Sequence, residues 1–272
     1  MTAEEALREG REALKHLDGG ARDARWLLAA ALSKSQSALS PSAPVPEDAL
    51  TRFRAMLAAR ATRVPVSHLT GEREFYGRAF IVTPDVLDPR PETETLIEAA
   101  LETPFENVLD LGTGSAAILA TLLAECSSAT GTGTDVSIGA LSVAERNVRK
   151  MGVTRRARLI RSNWFETVEG RFDLIVSNPP YIAARDMARL APELAHEPEI
   201  ALTDGGDGLS AYRAILRGAR DHLSAEGRVV VEFGAGQGAE VAAIAWAAGW
   251  SDTTFRADLG GRDRVLVAKS PL

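Results

Sequence analysis

Asn178-Pro179-Pro180-Tyr181 follows an apolar run at 172–177 that has the length and branched aliphatics of a strand. Two successive prolines offer no backbone donors and lock φ, so the strand must end there. The turn is thereby held stiffly at a strand's carboxyl end, the edge where open α/β sheets bind ligands. The side-chain carbonyl of Asn178 accepts hydrogen bonds, and so does the backbone carbonyl of Pro179. Two fixed acceptors side by side suit a planar –NH2 group, which has two hydrogens to give. Pro180 completes the rigid corner, and Tyr181 adds an aromatic face on which a flat group can stack. Residues 178–181 therefore read as a clamp for an amide or an exocyclic amine. An isolated Asn-Pro pair would be an ordinary turn; a second cluster upstream lifts this one above that reading.

That cluster is a cofactor site. Gly112-Thr113-Gly114-Ser115-Ala116 lies between an apolar strand at 108–111 and a helix with apolar residues at Ile118, Leu119, Leu122 and Leu123. Glycines in such a turn let backbone N–H groups approach a ligand at the positive end of the helix. Asp135 ends the next strand, where a carboxylate can take both hydroxyls of a ribose. A dinucleotide site would want a third glycine at 117, where Ala117 stands, and this favours a nucleoside cofactor without a pyrophosphate. Asn163 and Trp164 follow the third strand; the indole can stack on a purine and the amide can meet its amino edge. An adenosine pocket opposite an amine clamp, with no phosphate lysine and no hydride partner, points to methyl transfer from S-adenosylmethionine.

The elements that must position these groups alternate. Further strands are expected at 158–161, 228–233 and 264–268, and helices at 138–151, 209–222 and 238–248. Strand–helix alternation predicts a mostly parallel sheet covered on both faces. Residues 1–70 instead carry apolar residues at helical spacing, broken by Pro41, Pro44 and Pro46, and read as a small helical docking domain. Residues 71–90 read as a hairpin linker around Gly71 and Gly77, and 91–272 as the catalytic domain. Pro91, Glu92 and Glu94 suit a helix start, which is enough to explain those acids.

Composition bounds the function. No apolar stretch reaches membrane-spanning length and the first residues lack a signal pattern, so a cytoplasmic protein with no membrane partner is expected. The single cysteine, Cys126, rules out an internal disulfide, and the four histidines show no metal-ligand spacing. Residues 1–70 carry a net +2 and the remainder −8. So acidic a catalytic part is a poor match for a nucleic-acid backbone, and direct DNA binding is not expected.

Asp110-Leu-Gly-Thr-Gly-Ser followed by Ser177-Asn-Pro-Pro-Tyr-Ile resembles amino-directed S-adenosylmethionine methyltransferases. The resemblance narrows to the PrmC/HemK family, the glutamine methyltransferases of peptide chain release factors. It does so through Gly71-Glu-Arg-Glu-Phe-Tyr-Gly, Pro89-Arg-Pro-Glu-Thr-Glu, Ser162-Asn-Trp-Phe, Glu197-Pro-Glu-Ile-Ala-Leu and Asp258-Leu-Gly-Gly-Arg-Asp-Arg-Val. The family implies a Rossmann-like, seven-stranded methyltransferase fold with a helical N-terminal domain. It also implies a substrate, the glutamine of the Gly-Gly-Gln loop of class-1 release factors. Gly112 through Ala116, Asp135, Asn163, Trp164 and Asn178 would line the cofactor site, and Asn178 to Tyr181 would hold the glutamine. Three residues depart from the family pattern. Ala116 replaces a glycine and is expected to crowd the cofactor's methionine end. Asn163 replaces an aspartate, and Asp88 stands at a commonly apolar position. Two other readings fit parts of the pattern: an adenine-N6 nucleic-acid methyltransferase, which shares the Asn-Pro-Pro-Tyr clamp, and a non-catalytic binding protein that kept the fold.

Overall fold

The computed structural model describes residues 1–269, which form two compact units: residues 1–72 with 191–196, and residues 73–190 with the chain from 197 onward.

The smaller unit is helical: α1 (Ala3–Ala13), α2 (Gly20–Ala31), α3 (Glu47–Ala61) and α4 (Val66–Thr70). Thr2 caps α1 in a reciprocal box with Glu5, which satisfies two of the helix's orphan donors. Leu14, Leu27, Leu28, Phe53 and Leu57 form the core. Gly10 is what lets α1 approach so closely, since a Cβ there would lie 2.8 Å from the Ala24 methyl and 2.9 Å from the Phe53 ring. Arg60 is buried in this unit, donating from Nε to Asp23 Oδ2 (2.9 Å) and from both terminal nitrogens to Glu193 Oε1 (3.2 Å). Arg63 donates to the same oxygen at 3.2 Å, so the segment Ala191–His196 is fixed to the helices by charge.

In the larger unit, the hairpin of β1 (Glu72–Phe75) and β2 (Arg78–Ile81) sends Phe75 and Phe80 into the main core. Its turn is held by Glu94, whose Oε1 accepts from the Tyr76 backbone N–H at 2.8 Å. The dominant feature is a seven-stranded sheet: β3 (Asn107–Leu111), β4 (Thr130–Asp135), β5 (Ala157–Arg161), β6 (Phe172–Ser177), β7 (Leu223–Glu232), β8 (Asp252–Ala257) and β9 (Asp263–Lys269). The strands lie in the order β5-β4-β3-β6-β7-β9-β8, parallel from β5 through β7, with β9 antiparallel to both neighbours.

Helices α5 (Glu94–Leu101), α6 (Ala117–Glu125) and α7 (Ile138–Lys150) supply one core layer, which takes Val108, Leu174, Val176 and Val230 from the sheet. Helices α8 (Ser210–His222) and α9 (Gly238–Ala247) supply the other, which takes Leu109, Leu111, Ile175, Val229 and Val231. Consecutive residues of one strand thus enter opposite layers, which is why the central strands read as unbroken apolar runs. The strand order reverses between β3 and β6, and that reversal opens a crevice at their carboxyl ends.

Among the described residues, no helix is long and apolar enough to cross a membrane.

Candidate active site

A cavity of about 330 Å³ sits at this reversal, lined by the turns that follow β3, β4, β5 and β6. The end of β6 is tied to β3 by Ser177, whose buried hydroxyl donates to the Leu111 carbonyl at 2.7 Å. This bond sets the clamp and the glycine turn side by side. Gly112, Thr113, Gly114, Ser115, Asp135, Asn163, Trp164, Asn178 and Pro180 all line the cavity. Ala116, Pro179 and Tyr181 do not.

The glycine turn is fixed from below. Thr113 donates through its hydroxyl to Asp110 Oδ2 (2.6 Å) and through its N–H to the Thr134 carbonyl (2.8 Å). Asn147 of α7, fully buried, donates to the Ser115 carbonyl at 2.9 Å and also bonds Ile81, joining turn, helix and hairpin. Gly112 has φ +69° and Gly114 φ +54°, a region where side chains are strained. Asp110 is wholly enclosed, and burial pushes its carboxyl up to about 7 despite the Thr113 hydroxyl. Its Oδ1 has no hydrogen-bond partner among the described residues.

Ala116 is the last residue of the turn and shares the left-handed conformation, at φ +60°. Its methyl is wholly buried in the core beneath α6. The departure from glycine therefore acts on the backbone and the core, and the methyl does not reach the cavity wall.

Asp135 accepts from the Gly114 N–H (Oδ2, 3.0 Å) and the Ser137 N–H (Oδ1, 2.9 Å). Burial raises its pKa, and these backbone donors oppose the rise. Trp164, at φ +50°, lays a ring carbon 3.9 Å from where a Gly112 Cβ would stand. Such a strained non-glycine residue persists only when its surroundings hold it. Asn163 donates from Nδ2 to Glu166 Oε1 at 2.8 Å, which leaves its carbonyl to accept.

The clamp is braced from behind. Asn178 donates from Nδ2 to the Thr93 hydroxyl at 3.1 Å, and its buried Oδ1 has no partner among the described residues. Pro179 is buried. Tyr181 turns away from the cavity. Its carbonyl accepts from Gln237 Nε2 at 3.0 Å, and the Arg264 guanidinium lies 5.8 Å from its ring centre. Burial raises the Tyr181 phenol, and Glu232 nearby adds to the rise. Tyr181 thus locks the turn in place.

Sequence reasoning missed Thr93, Arg90 and Asp85, which also line the cavity. Arg90 pairs with Glu197, whose carboxyl is raised by burial against the pull of Arg90. For Arg90 and Thr93 the signal lies in the Pro89-Arg-Pro-Glu-Thr-Glu segment, whose acids are explained by helix capping alone; Asp85 carries no signal.

Comparison with known proteins follows the same division of the chain. Residues 84–210 match the methyltransferase small domain and residues 5–71 the PrmC N-terminal domain. The chain is similar to the release factor glutamine methyltransferase of Cereibacter sphaeroides, at 53% identity over all of this chain and 99% of that one. It is 42% identical to the release factor glutamine methyltransferase of Agrobacterium fabrum, over 90% of this chain and 89% of that one. Among solved structures, a methyltransferase from Pyrococcus furiosus superposes with a TM-score of 0.57 at 21% identity, covering 82% of this chain and 99% of that one, a likeness of fold.

S-adenosylmethionine is the cofactor of such an enzyme, and the cavity residues fit it. A methyl built on Gly114 would meet nothing within 4 Å, so the turn leaves open space at the wall. Asp135 keeps lone pairs free after its two backbone bonds, as a ribose diol requires. Trp164 offers a half-buried aromatic face beside Gly112. Gly112, Gly114, Asp135 and Trp164 are the residues that would hold the nucleoside.

Proposed function

The chain belongs to the release factor glutamine methyltransferase family, and from that membership we propose that it methylates the side-chain amide nitrogen of the glutamine in the Gly-Gly-Gln motif of class-1 peptide chain release factors. One observation carries this reading. The Asn178 amide nitrogen is committed to Thr93, while its carbonyl oxygen, on a residue that lines the cavity, is buried without a partner among the described residues. A buried acceptor left unsatisfied costs about 1–3 kcal/mol, and a substrate –NH2 group would relieve that cost.

The bound cofactor supplies an electrophilic methyl group. The protein's task is to make a poor nucleophile attack it. An amide nitrogen is weakly nucleophilic because its lone pair is delocalised into the carbonyl. Held by Asn178, it directs an N–H bond at a fixed acceptor, Oδ1. As positive charge builds on nitrogen, that hydrogen bond strengthens, so the stabilisation grows toward the transition state. Alignment adds to this, out of the roughly 7–11 kcal/mol open to ideal positioning. No strong base is required beforehand, since the N–H becomes acidic as the charge develops.

The test is incubation of the purified protein with methyl-labelled cofactor and, separately, a class-1 release factor, the same factor with its motif glutamine replaced by alanine, and bulk nucleic acid. Mass spectrometry of the intact factor should show one added methyl group, and peptide mapping should place it on that glutamine. Label in nucleic acid, or in the alanine-substituted factor, would contradict the reading.

A further inference from the structure

The clamp is fastened from its two ends. Pro179 and Pro180 have no N–H, so the middle of the turn offers the fold no backbone donor. Their locked φ angles also carry any shift at Tyr181 back to Asn178. On the entering side, Ser177 bonds the Leu111 carbonyl and Asn178 bonds the Thr93 hydroxyl. On the leaving side, the Tyr181 carbonyl is held by the side chain of Gln237, the residue that precedes α9.

The Gln237 carboxamide bonds two backbone groups whose roles cannot change. Its Oε1 accepts from the Gly234 N–H at 2.9 Å, and its Nε2 donates to the Tyr181 carbonyl at 3.0 Å. An N–H only donates and a carbonyl only accepts, so the amide has one orientation, and turning it over would break both bonds. Tyr212 of α8 adds a longer contact, its hydroxyl 3.5 Å from the same Oε1. The backbone is shaped around this seat. A Cβ on Gly234 would lie 2.6 Å from Gln237 Oε1 and 3.1 Å from Tyr181 Cδ2, and one on Gly208 would lie 2.4 Å from the Tyr181 carbonyl oxygen. At the other end of the tyrosine, Arg264 donates to its hydroxyl at 3.4 Å. Gln237 itself does not line the cavity.

Resting on the substrate assigned above, we infer that Gln237 is a positioning residue for methyl transfer: it anchors the carboxyl end of the 178–181 turn and, through the two prolines, sets where the Asn178 carbonyl oxygen meets the substrate amide. It touches neither substrate nor cofactor. A misplacement of about 1 Å at a reacting centre can cost about 100-fold in rate, so loss of this anchor is read in kcat.

The experiment measures kcat and KM on a class-1 release factor, and the cofactor dissociation constant by calorimetry, for the wild type, Gln237→Met and Gln237→Glu. The Met variant keeps the length of the side chain and loses both bonds. The Glu variant keeps an acceptor for Gly234 and sets a second oxygen against the Tyr181 carbonyl in place of a donor. Gln237→Met should lower kcat about tenfold, the scale of one hydrogen bond, and Gln237→Glu at least as far. KM and the cofactor dissociation constant should each stay within about twofold, and the latter also shows that the variants fold. A side chain that merely filled space would leave Gln237→Glu, the closer match in shape, at the wild-type rate. Should the charge in Gln237→Glu unfold the chain, Gln237→Met alone decides. Wild-type kcat in either variant, or a loss carried in both by KM or by cofactor affinity, would overturn the assignment. Absence of methylation by the wild type would instead overturn the substrate reading, and this inference with it.

Discussion

At the residue scale, the site depends on where hydrogen bonds are spent and where they are withheld. Asp135 accepts two backbone N–H groups and keeps lone pairs in reserve; Asn178 spends its nitrogen and keeps its oxygen. Two buried acids behind the site, Asp110 and Glu232, are each held near 7, well above the ordinary carboxylate range, because burial disfavours their charge. The folded chain therefore binds protons that the unfolded chain releases from about pH 4 upward. The stability these groups contribute is fully present below that pH and is lost as pH rises through about 7. Asp110→Asn has no such proton to lose, and its carbonyl can still accept from Thr113. Its melting temperature relative to wild type should rise by a few degrees between about pH 5.5 and pH 8. A constant difference across that range, followed by differential scanning calorimetry, would contradict the assignment of Asp110.

At the element scale, the turn from β3 into α6 is where the proposed cofactor would meet the backbone. Its strand and glycines were legible because an apolar run ended in Gly-Thr-Gly, a pattern with one physical use. The end of β6 at Ser177 was legible for the same reason, since two prolines can only stop a strand. Thr93 was not, because a single hydroxyl carries no periodicity and meets Asn178 only once the sheet has formed. The edge strand β8 was also invisible: its residues alternate between exposed and half-buried, with Thr and Arg in place of an apolar run. Ala116 taught a different lesson. Sequence pattern placed its methyl against the cofactor, whereas the left-handed φ of +60° turns it into the core. Ala116→Gly should relieve about 1 kcal/mol of backbone strain and lose a similar amount of methyl burial. Stability should change by no more than about 1 kcal/mol, with cofactor affinity by calorimetry within about twofold. Binding tightened about tenfold would show that the methyl does intrude.

At the scale of the whole molecule, the helical unit and the α/β unit were separable in sequence because their apolar spacing differs. The return of Ala191–His196 to the helical unit was not, since Glu193 lies far along the chain from the arginines that hold it. Charge divides along the chain as well, with a weakly basic first quarter and an acidic remainder. That acidic remainder holds every residue of the cavity, and it suits a protein side chain better than a phosphate backbone. On the proposed function, binding the cofactor and presenting the amide are separate jobs done by separate turns of one sheet edge.

Single-turnover methyl transfer by Asn178→Ala, with its cofactor dissociation constant measured alongside, tests this most directly. The expected result is a rate lower by about 100-fold or more, the scale of losing one preorganised polar group, with cofactor affinity within about twofold of wild type. A wild-type rate, or a loss traced wholly to weakened cofactor binding, would contradict it.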